Sequence, residues 1–272
     1  MNKSKIIIFL IVVFVINACS RVLMSNRRQL NLIPKATMLQ MSFGQYGQFL
    51  DENVISADAK NTAMVKRVGG KIQKAVERYF KANGLEHELA NYAWEFNLVE
   101  SNDVNAWCMP GGKVVFYTGI LPLTKDENGL AVVMGHEIAH AIAEHGNERM
   151  SQGLMAQLGG VALAVAVRDK PEQTQQMWMT AFGAGAQLGV LLPFSRLQES
   201  EADQLGLIFM SMAGYNPNHA ISFWRRMAEK KGGAAPPEFI STHPSDQKRI
   251  AQIEKQLPEA LKYYYAAVNK KY

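Results

Sequence analysis

The stretch at residues 131–143 constrains the fold of this chain more than any other, because it places paired histidines in an apolar, proline-free run that predicts a buried helix. His136, Glu137 and His140 form the pattern H-E-x-x-H. Residues four apart share a helix face, so both imidazoles can bind one metal ion. Glu137 lies about 100° round the helix and can take a proton from a water beside the metal. The pattern is typical of zinc metalloproteases, but short motifs also arise by chance, so a third ligand must decide.

The composition of the 272 residues suits one sizeable globular domain and excludes several other classes of protein. The net charge is +5, and removal of an N-terminal targeting segment with two lysines leaves 27 basic against 24 acidic residues. The basic residues form no long run, so no nucleic-acid partner is expected. Two cysteines exclude a disulfide-rich framework. Cys19 has a separate explanation, and Cys108 is expected to be an unpaired, partly buried thiol.

Residues 1–18 have the pattern of a bacterial lipoprotein signal. Lys3 and Lys5 precede an apolar run at residues 6–16 that is too short to span a bilayer comfortably. A small residue then precedes Cys19, the expected acylated first residue of the mature protein; the alternative is an uncleaved anchor with an incidental cysteine. Ser20 resembles the outer-membrane sorting pattern, which predicts a lipid-anchored, periplasm-facing protein of the bacterial envelope. The expected organisation is a signal peptide at 1–18, a leader at 19–60 and one domain at 61–272.

Periodicity predicts a mostly helical domain with a few strands. Apolar residues at three- and four-residue spacing predict a helix over residues 61–82, which Gly84 ends. Alternation predicts a strand at 92–100, and two more strands are expected at 104–109 and 113–117 around the turn at 110–112. We expect these three strands to form a small antiparallel sheet. Further helices are predicted at residues 126–146, 195–213, 218–231 and 246–257, with Pro258 ending the last one.

Residues 151–193 contain two apolar runs on either side of a polar stretch at 168–173. Neither run reaches about 20 residues, so a membrane span is not expected. The simplest interpretation is a hairpin of two buried helices. The alternatives are a mobile lid beside the active site, or a surface that contacts a membrane or a partner.

A third metal ligand is expected from an acid on a separate helix, and residues 195–203 offer two glutamates. Metal-bound histidines usually donate their second ring N–H to a carboxylate, which Asp203 can supply. Asp203 lies four residues after Glu199, on the same helix face, but only two after Glu201. Helix geometry therefore predicts that Glu199 binds the metal, with Asp203 supporting a ligand, and that Glu201 does not.

Four motifs together resemble one family of zinc metallopeptidases, the family of HtpX, the prenyl-protein endopeptidases, the mitochondrial stress protease Oma and the periplasmic BepA. They are H-E-x-x-H at 136–140, S-R-x-x-E-x-E-A-D at 195–203, N-A-x-x-x-P-G-G at 105–112, and an H-P element at 243–244 followed by Arg249. The resemblance covers residues 61–257 in the family's order. This chain departs from the multi-span members and lacks the length for the helical-repeat domain of BepA.

The resemblance implies a zinc endopeptidase with one zinc ion per chain. Glu137 would be the general base, and His243 and Arg249 would stabilise the oxyanion. Asn105 and Ala106 would lie on an edge strand to which an extended substrate adds by main-chain hydrogen bonds. The His243 side chain is also expected to be able to fill the open zinc position and hold the enzyme latent. The remaining histidines are interpreted as surface or structural residues: His87, His145 and His219.

The sequence thus predicts an α+β, mostly helical, zincin-like metallopeptidase domain with a small antiparallel sheet. Its expected substrates are unfolded or misassembled cell-envelope proteins, and its expected membrane contact is the N-terminal lipid. One alternative is a chaperone-like protein that binds envelope proteins with little turnover. Another is a metal hydrolase for a non-peptide substrate. The oligomeric state does not follow from the sequence.

Overall fold

The computed structural model describes residues 19–186, 192–230, 238–243 and 247–269. The expected signal peptide at 1–18 lies outside the described residues. The chain divides into two compact units. The first comprises residues 1–38 and 143–198, and the second comprises residues 39–142 and 199–272.

The described elements follow one another as helices interrupted by five short strands. The strands are β1 (Cys19–Arg21), β2 (Arg28–Leu30), β3 (Glu95–Val99), β4 (Ala106–Met109) and β5 (Lys113–Tyr117). The helices are α1 (Lys35–Glu52), α2 (Ala59–Ala82), α3 (Leu121–Thr124), α4 (Glu127–Ile142), α5 (His145–Val167), α6 (Glu172–Ala186), α7 (Leu192–Met212), α8 (His219–Lys230), α9 (Glu238–Thr242) and α10 (Gln247–Asn269). The expected α+β, mostly helical fold is confirmed.

The sheet of the second unit is mixed, so the expectation of an antiparallel sheet is wrong for one of its two strand pairs. β4 and β5 pair antiparallel across the turn at 110–112, with Ala106 opposite Phe116. β3 pairs parallel with β5, from Glu95 opposite Lys113 to Val99 opposite Tyr117. The order is therefore β3-β5-β4. The β4–β5 hairpin leaves the other side of β5 open, and the chain between β3 and β4 crosses over to bring β3 there, which periodicity alone does not reveal.

The predicted helix at 61–82 forms as α2 and supports the motif-bearing helix. Asp58 caps it by accepting a hydrogen bond from the Asn61 N–H at 3.0 Å. It packs against α4 and β3, and its apolar face is fully buried, at Val65, Val68, Ile72, Val76 and Phe80. Gly84 follows the helix with a positive φ of 69°. The sequence pattern therefore predicted this helix within two residues at its start.

Helix α4 is buried along almost its whole length, as expected for the motif-bearing helix. It ends at Ile142, earlier than predicted, because Glu144 has a left-handed backbone conformation with φ 56° and α5 begins at the next residue. Leader residues 35–52 form α1, which was not predicted, and Tyr46 on this helix is buried against Val99 and Val115.

The expected helix end at Pro258 is wrong, since α10 continues through this residue to Asn269. An internal proline removes one hydrogen bond and costs about 3 kcal/mol. Here the helix has several turns on each side of the proline, and a continuous face is buried at Ile250, Ile253, Leu257 and Ala260. Burial of that face offsets the local cost, which a rule based on proline alone does not take into account.

The predicted helical hairpin is confirmed as α5 and α6, but its predicted burial is wrong. Leu158 and Val161 on α5 are each 63% exposed, and Met177 on α6 is 60% exposed. By length and composition alone, α5 is the one helix of the described residues that could cross a membrane. In the described part of the hairpin, these apolar side chains form an exposed surface and not a core.

Candidate metal centre

Four side chains of the second unit place one donor atom each within 4.8 Å of one another: those of His136, His140, Glu199 and His243. His136 and His140 come from α4, Glu199 from α7, and His243 directly follows α9. The Nε2 atoms of the two α4 histidines are 3.0 Å apart. His243 Nδ1 lies 3.1 Å from His136 Nε2 and 3.0 Å from Glu199 Oε1. The histidine pair and the glutamate predicted from sequence thus converge on one point.

This donor set fits a zinc ion. Zinc prefers imidazole nitrogens and carboxylate oxygens at about 2.0–2.2 Å, and tetrahedral ligands at that bond length stand about 3.3 Å apart. Among the donor atoms of His136, His140 and Glu199, the separations run from 3.0 Å, between the α4 imidazoles, to 3.4 Å, between His136 Nε2 and Glu199 Oε2. Two imidazoles and one carboxylate are the donors of several catalytic zinc sites.

A close crossing of α4 and α7 brings the ligands together. A Cβ on Gly206 would lie 2.7 Å from the backbone N of His136, and one on Gly135 would lie 2.6 Å from the carbonyl oxygen of Gly206. Both distances are shorter than side chains tolerate, so only glycine permits this approach. Gly206 is two helical turns after Glu199 and one turn after Asp203, so the contact sets where α7 presents its carboxylates. Sequence reasoning missed this pair of glycines, whose only signal is a glycine inside each helix.

Asp203 supports the outer nitrogen of His136, as its position in the helix predicted. Its Oδ1 lies 3.0 Å from His136 Nδ1. Burial would lower the pKa of His136, but the carboxylates of Asp203 and Glu199 outweigh burial and raise that pKa to about 9. The pKa of Asp203 is lowered, because Arg249 and His136 outweigh the effect of its burial.

Arg249 binds two carboxylates of α7, those of Asp203 and Glu199. It donates to Asp203 from Nε at 2.8 Å and from Nη2 at 2.7 Å, and its Nη1 lies 3.1 Å from Glu199 Oε2. The guanidinium carbon lies 3.5 Å from the ring centre of Trp224. These contacts orient the carboxylates and neutralise part of their charge. The role in oxyanion stabilisation implied by the resemblance stays a prediction.

The pKa of Glu199 is well below its usual range. Burial opposes this shift, but the charge of His140 and hydrogen bonds from three histidines outweigh it. Glu201, two residues further on, is also buried but does not belong to the donor group found among the described residues. The structure therefore places Glu199, and not Glu201, beside the motif histidines.

Glu137 lies beside the donor group and has a carboxylate oxygen with no hydrogen bond. The residue is 3% exposed, and Oε1 has no hydrogen-bond partner among the described residues. His243 Nε2 lies 3.6 Å from this oxygen, which is too long for a hydrogen bond. Burial raises the pKa of Glu137. A buried, unsatisfied carboxylate oxygen next to a set of metal donors can accept a proton from a water or ligand bound there.

Strand β4 forms an edge of the described three-stranded sheet and packs against α4. Asn105, just before β4, is buried, and its side-chain Oδ1 accepts the N–H of Ala106 at 2.9 Å. One residue earlier, the Val104 carbonyl accepts a 3.1 Å hydrogen bond from the N–H of Phe239 on α9. The helix that leads to His243 is therefore attached where the edge strand begins.

Cys108, on the same strand, is a free, partly buried thiol, as predicted. Burial raises its pKa well above the usual value, and the charge of nearby Glu137 adds to this effect. It is therefore protonated at neutral pH and is a poor nucleophile.

Aromatic rings that sequence reasoning missed surround the donor group. The Phe239 ring is centred 4.7 Å from that of His243, and it stacks on Trp224 at 5.9 Å. Trp224 and Phe239 are both almost fully buried. They exclude water from one side of the histidines and hold their rings in place. Their sequence signal is weak, because an isolated aromatic on an amphipathic helix usually indicates the core.

The remaining histidines take no part in the donor group found among the described residues. His87 is exposed, His219 is partly buried, and His145 is buried in the first unit. Their expected surface or structural placement is consistent with these positions.

Comparison with known proteins gives relatives over most of the chain. The model of peptidase family M48 matches residues 66–257. The mitochondrial metalloendopeptidase OMA1 of Schizosaccharomyces pombe is 36% identical over 241 residues, covering 87% of this chain and 66% of that protein. The protein of the same name from Saccharomyces cerevisiae is 35% identical over 205 residues, covering 70% and 55%.

A bacterial relative is more distant. The beta-barrel assembly-enhancing protease of Escherichia coli is 28% identical over 166 residues, covering 58% of this chain and 33% of that protein. This chain thus spans between one third and just under two thirds of the length of these relatives. The family match includes all four donor residues, Glu137, Asp203 and Arg249. The chain belongs to peptidase family M48.

Proposed function

We propose that this protein is a zinc metalloendopeptidase that cleaves unfolded or misassembled proteins of the cell envelope, with residues 61–272 as its peptidase domain. The observation that carries the proposal is the donor group of His136, His140 and Glu199 beside the unsatisfied carboxylate oxygen of Glu137. These are the two components that metal-assisted hydrolysis requires. The names of the metalloendopeptidase relatives agree with it.

His136, His140 and Glu199 would hold one zinc ion per chain, and Asp203 would fix the ring orientation of His136. Bound zinc supplies Lewis-acid chemistry, which makes water acidic and polarises the scissile carbonyl. Glu137 takes the proton of the attacking water and passes it to the leaving amine. Its raised pKa suits it to hold that proton briefly.

The edge of β4 provides a way to hold an extended substrate. An added strand would hydrogen-bond to the main chain around Asn105 and Ala106, which does not require a particular side-chain sequence. Such binding suits unfolded chains of many sequences. It also favours a peptide over a non-peptide substrate.

The described arrangement corresponds to a resting state. His243 Nδ1 lies within the donor group, so it would fill the open metal position that a substrate needs. The Phe239 N–H holds α9 at the start of the β4 edge. Activity therefore requires His243 to leave the donor group and α9 to leave the start of β4. His243 and Arg249 can then stabilise the oxyanion.

The envelope location rests on the sequence of residues 1–18, the position of Cys19 and the name of the bacterial relatives. We expect the mature protein to begin at an acylated Cys19, in the outer membrane and facing the periplasm. Mass spectrometry of the membrane-extracted protein tests this directly. Recovery of an intact peptide from residues 1–18 would contradict it.

The experiment that tests the activity compares the wild type with Glu137→Gln and with Glu201→Gln, a matched change of a buried glutamate outside the donor group. Metal content is measured, together with cleavage of an unfolded protein with and without chelator. We expect zinc in all three proteins and chelator-sensitive cleavage in all but Glu137→Gln. Prevention of aggregation by wild type and Glu137→Gln alike, without cleavage, would favour the chaperone-like alternative.

A further inference from the structure

We propose that the hairpin of α5 and α6 docks into a lipid bilayer through its exposed apolar surface, as a second membrane contact separate from the N-terminal anchor. The inference does not rest on peptidase activity. It rests on side-chain exposure, on the placement of charge along the hairpin, and on where the N-terminal segment joins the same unit.

The exposed apolar side chains of the described residues concentrate on this hairpin. Nine of the fifteen large ones fall between residues 150 and 179. Five of the six on α5 follow spacings of four, four, three and four residues, which place these five on one helix face within about 80°. This stripe consists of Met150, Leu154, Leu158, Val161 and Val165, between 40% and 63% exposed. A continuous apolar stripe of this length marks a contact surface, since soluble proteins rarely expose one to water.

The hairpin is closed on its inner side by small residues. A Cβ on Gly159 would lie 2.9 Å from Phe182 of α6, and one on Gly160 would lie 3.6 Å from the same ring. The glycines thus accommodate the aromatic ring and let α5 and α6 approach closely, as small residues do between helices in membranes. Because α5 and α6 pack against each other on this side, the apolar stripe lies on the outward face of the hairpin.

Beyond the first turn of α5, charge lies only at the tip of the hairpin. Residues 150–195 contain four charged side chains, and all four fall between Arg168 and Glu172, the first residue of α6. The uncharged part of α5, residues 150–167, is about 27 Å long at 1.5 Å per residue, close to the roughly 30 Å of a bilayer hydrocarbon core. A protein partner normally meets a rim of polar and charged groups. Uncharged helices of this length instead match the apolar interior of a bilayer.

The first unit also brings the N-terminal segment to the base of the hairpin. Arg27 donates to Glu148 on the first turn of α5 at 2.8 and 2.7 Å, and the Leu32 N–H donates to Ser151 at 2.8 Å. The described chain begins with Cys19, the residue expected to carry the N-terminal lipid, in β1; this strand pairs with β2, which packs against α5. An N-terminal anchor would therefore enter the membrane beside the end of α5 from which the apolar stripe extends.

Exposed arginines at this base suit anionic lipid headgroups. Arg21 and Arg28 are exposed and lie directly opposite each other in the β1–β2 pair. Like charges in that position repel, and nearby phosphate groups relieve the repulsion. The bilayer that fits this unit therefore carries anionic phospholipid.

The test places the full chain in vesicles of phosphatidylcholine and phosphatidylglycerol, with or without bromine on the acyl chains, which quenches nearby tryptophan fluorescence. Trp178 lies on α6 and is 51% exposed, and Trp178→Phe removes its signal. We expect quenching in the wild type and its loss in Trp178→Phe. The double variant Leu158→Gln with Val161→Gln should reduce it, while Val54→Gln, which alters an equally exposed residue of the other unit, should not. Glu137→Gln should be quenched like the wild type, so a failed peptidase assay leaves this result intact.

Two results would overturn the proposal. If brominated lipid quenches the wild type and Trp178→Phe equally, the hairpin lies outside the bilayer. If in addition the double variant turns a dimer into a monomer in sedimentation, the apolar stripe is an interface between two copies of this chain. If an aqueous quencher does not reach Trp178 in the full chain but reaches it once residues 1–18 are removed, then that segment, and not lipid, covers the apolar stripe.

Discussion

The substitution Gly206→Ala tests whether the helix crossing, and not only the ligands, determines metal binding. The new Cβ would lie 2.7 Å from the His136 N, 2.8 Å from the Gly135 carbonyl carbon and 2.9 Å from the His136 Cα. Ordinary contact begins at 3.4 Å, and all three neighbours are backbone atoms that cannot rotate away. Helices α4 and α7 must therefore separate by about 0.7 Å, whereas metal ligands tolerate deviations of about 0.2 Å.

We expect Gly206→Ala to reduce zinc affinity more than it reduces the stability of the fold. Overpacking costs about 1–3 kcal/mol, and the higher helix propensity of alanine returns up to about 1 kcal/mol. We therefore expect a loss of at most about 3 kcal/mol in the free energy of unfolding of the metal-free protein. Zinc affinity should fall by at least about tenfold, because both Glu199 and Asp203 move with α7.

The assay is a zinc titration against a competing chelator, with denaturant unfolding of the metal-free protein in parallel. Gly70→Ala is the matched control, because Gly70 is also inside a helix but a Cβ there would meet nothing within 4 Å. It should raise stability by up to about 1 kcal/mol and leave zinc affinity unchanged. If Gly206→Ala bound zinc as tightly as the wild type, the crossing would not control the geometry of the site.

The remaining predictions concern single side chains of the site. Asp203→Asn should weaken zinc binding about 10- to 100-fold, measured by the same titration, because an amide is neutral and has one acceptor oxygen in place of the two that His136 and Arg249 use. Glu199→Gln should lose zinc and activity together while Glu201→Gln keeps both; the reverse pattern would show that the wrong glutamate was chosen. His243→Ala should remove the resting-state contact, so zinc stays accessible to small chelators in stopped-flow exchange even if turnover falls, and unchanged exchange and activity would refute its role.

Much of the site was predictable because its chemistry depends on local spacing. The i, i+4 relation of His136 and His140, and of Glu199 and Asp203, follows from helix geometry wherever the helices lie. The same rule separates Glu199 from Glu201 by their spacing from Asp203 alone. The helices α2, α4 and α8 were likewise predictable, since their periodicity and end signals agree.

The rest depends on long-range packing that spacing does not encode. The direction of β3 follows from a crossover, and the survival of α10 through Pro258 follows from burial on both sides of it. The hairpin of α5 and α6 was expected to be buried because apolar runs usually are, yet a membrane-facing surface has the same composition. The Gly135–Gly206 crossing leaves no local pattern, because what makes each glycine necessary is the backbone of the other helix.

Charge balance gives a final reason to regard a divalent cation as an integral part of this site. Glu137, Glu199 and Asp203 are each less than a tenth exposed, and Arg249 contacts the carboxylates of Glu199 and Asp203. Three carboxylates and one guanidinium leave two negative charges in excess when the imidazoles are neutral, and buried charge must be compensated. A zinc ion would supply that compensation. The same excess raises the pKa of His136 to about 9, because the carboxylates of Asp203 and Glu199 stabilise a proton on its ring. The same negative charge favours a metal ion at that ring. Proton and metal thus compete for one cluster of negative charge.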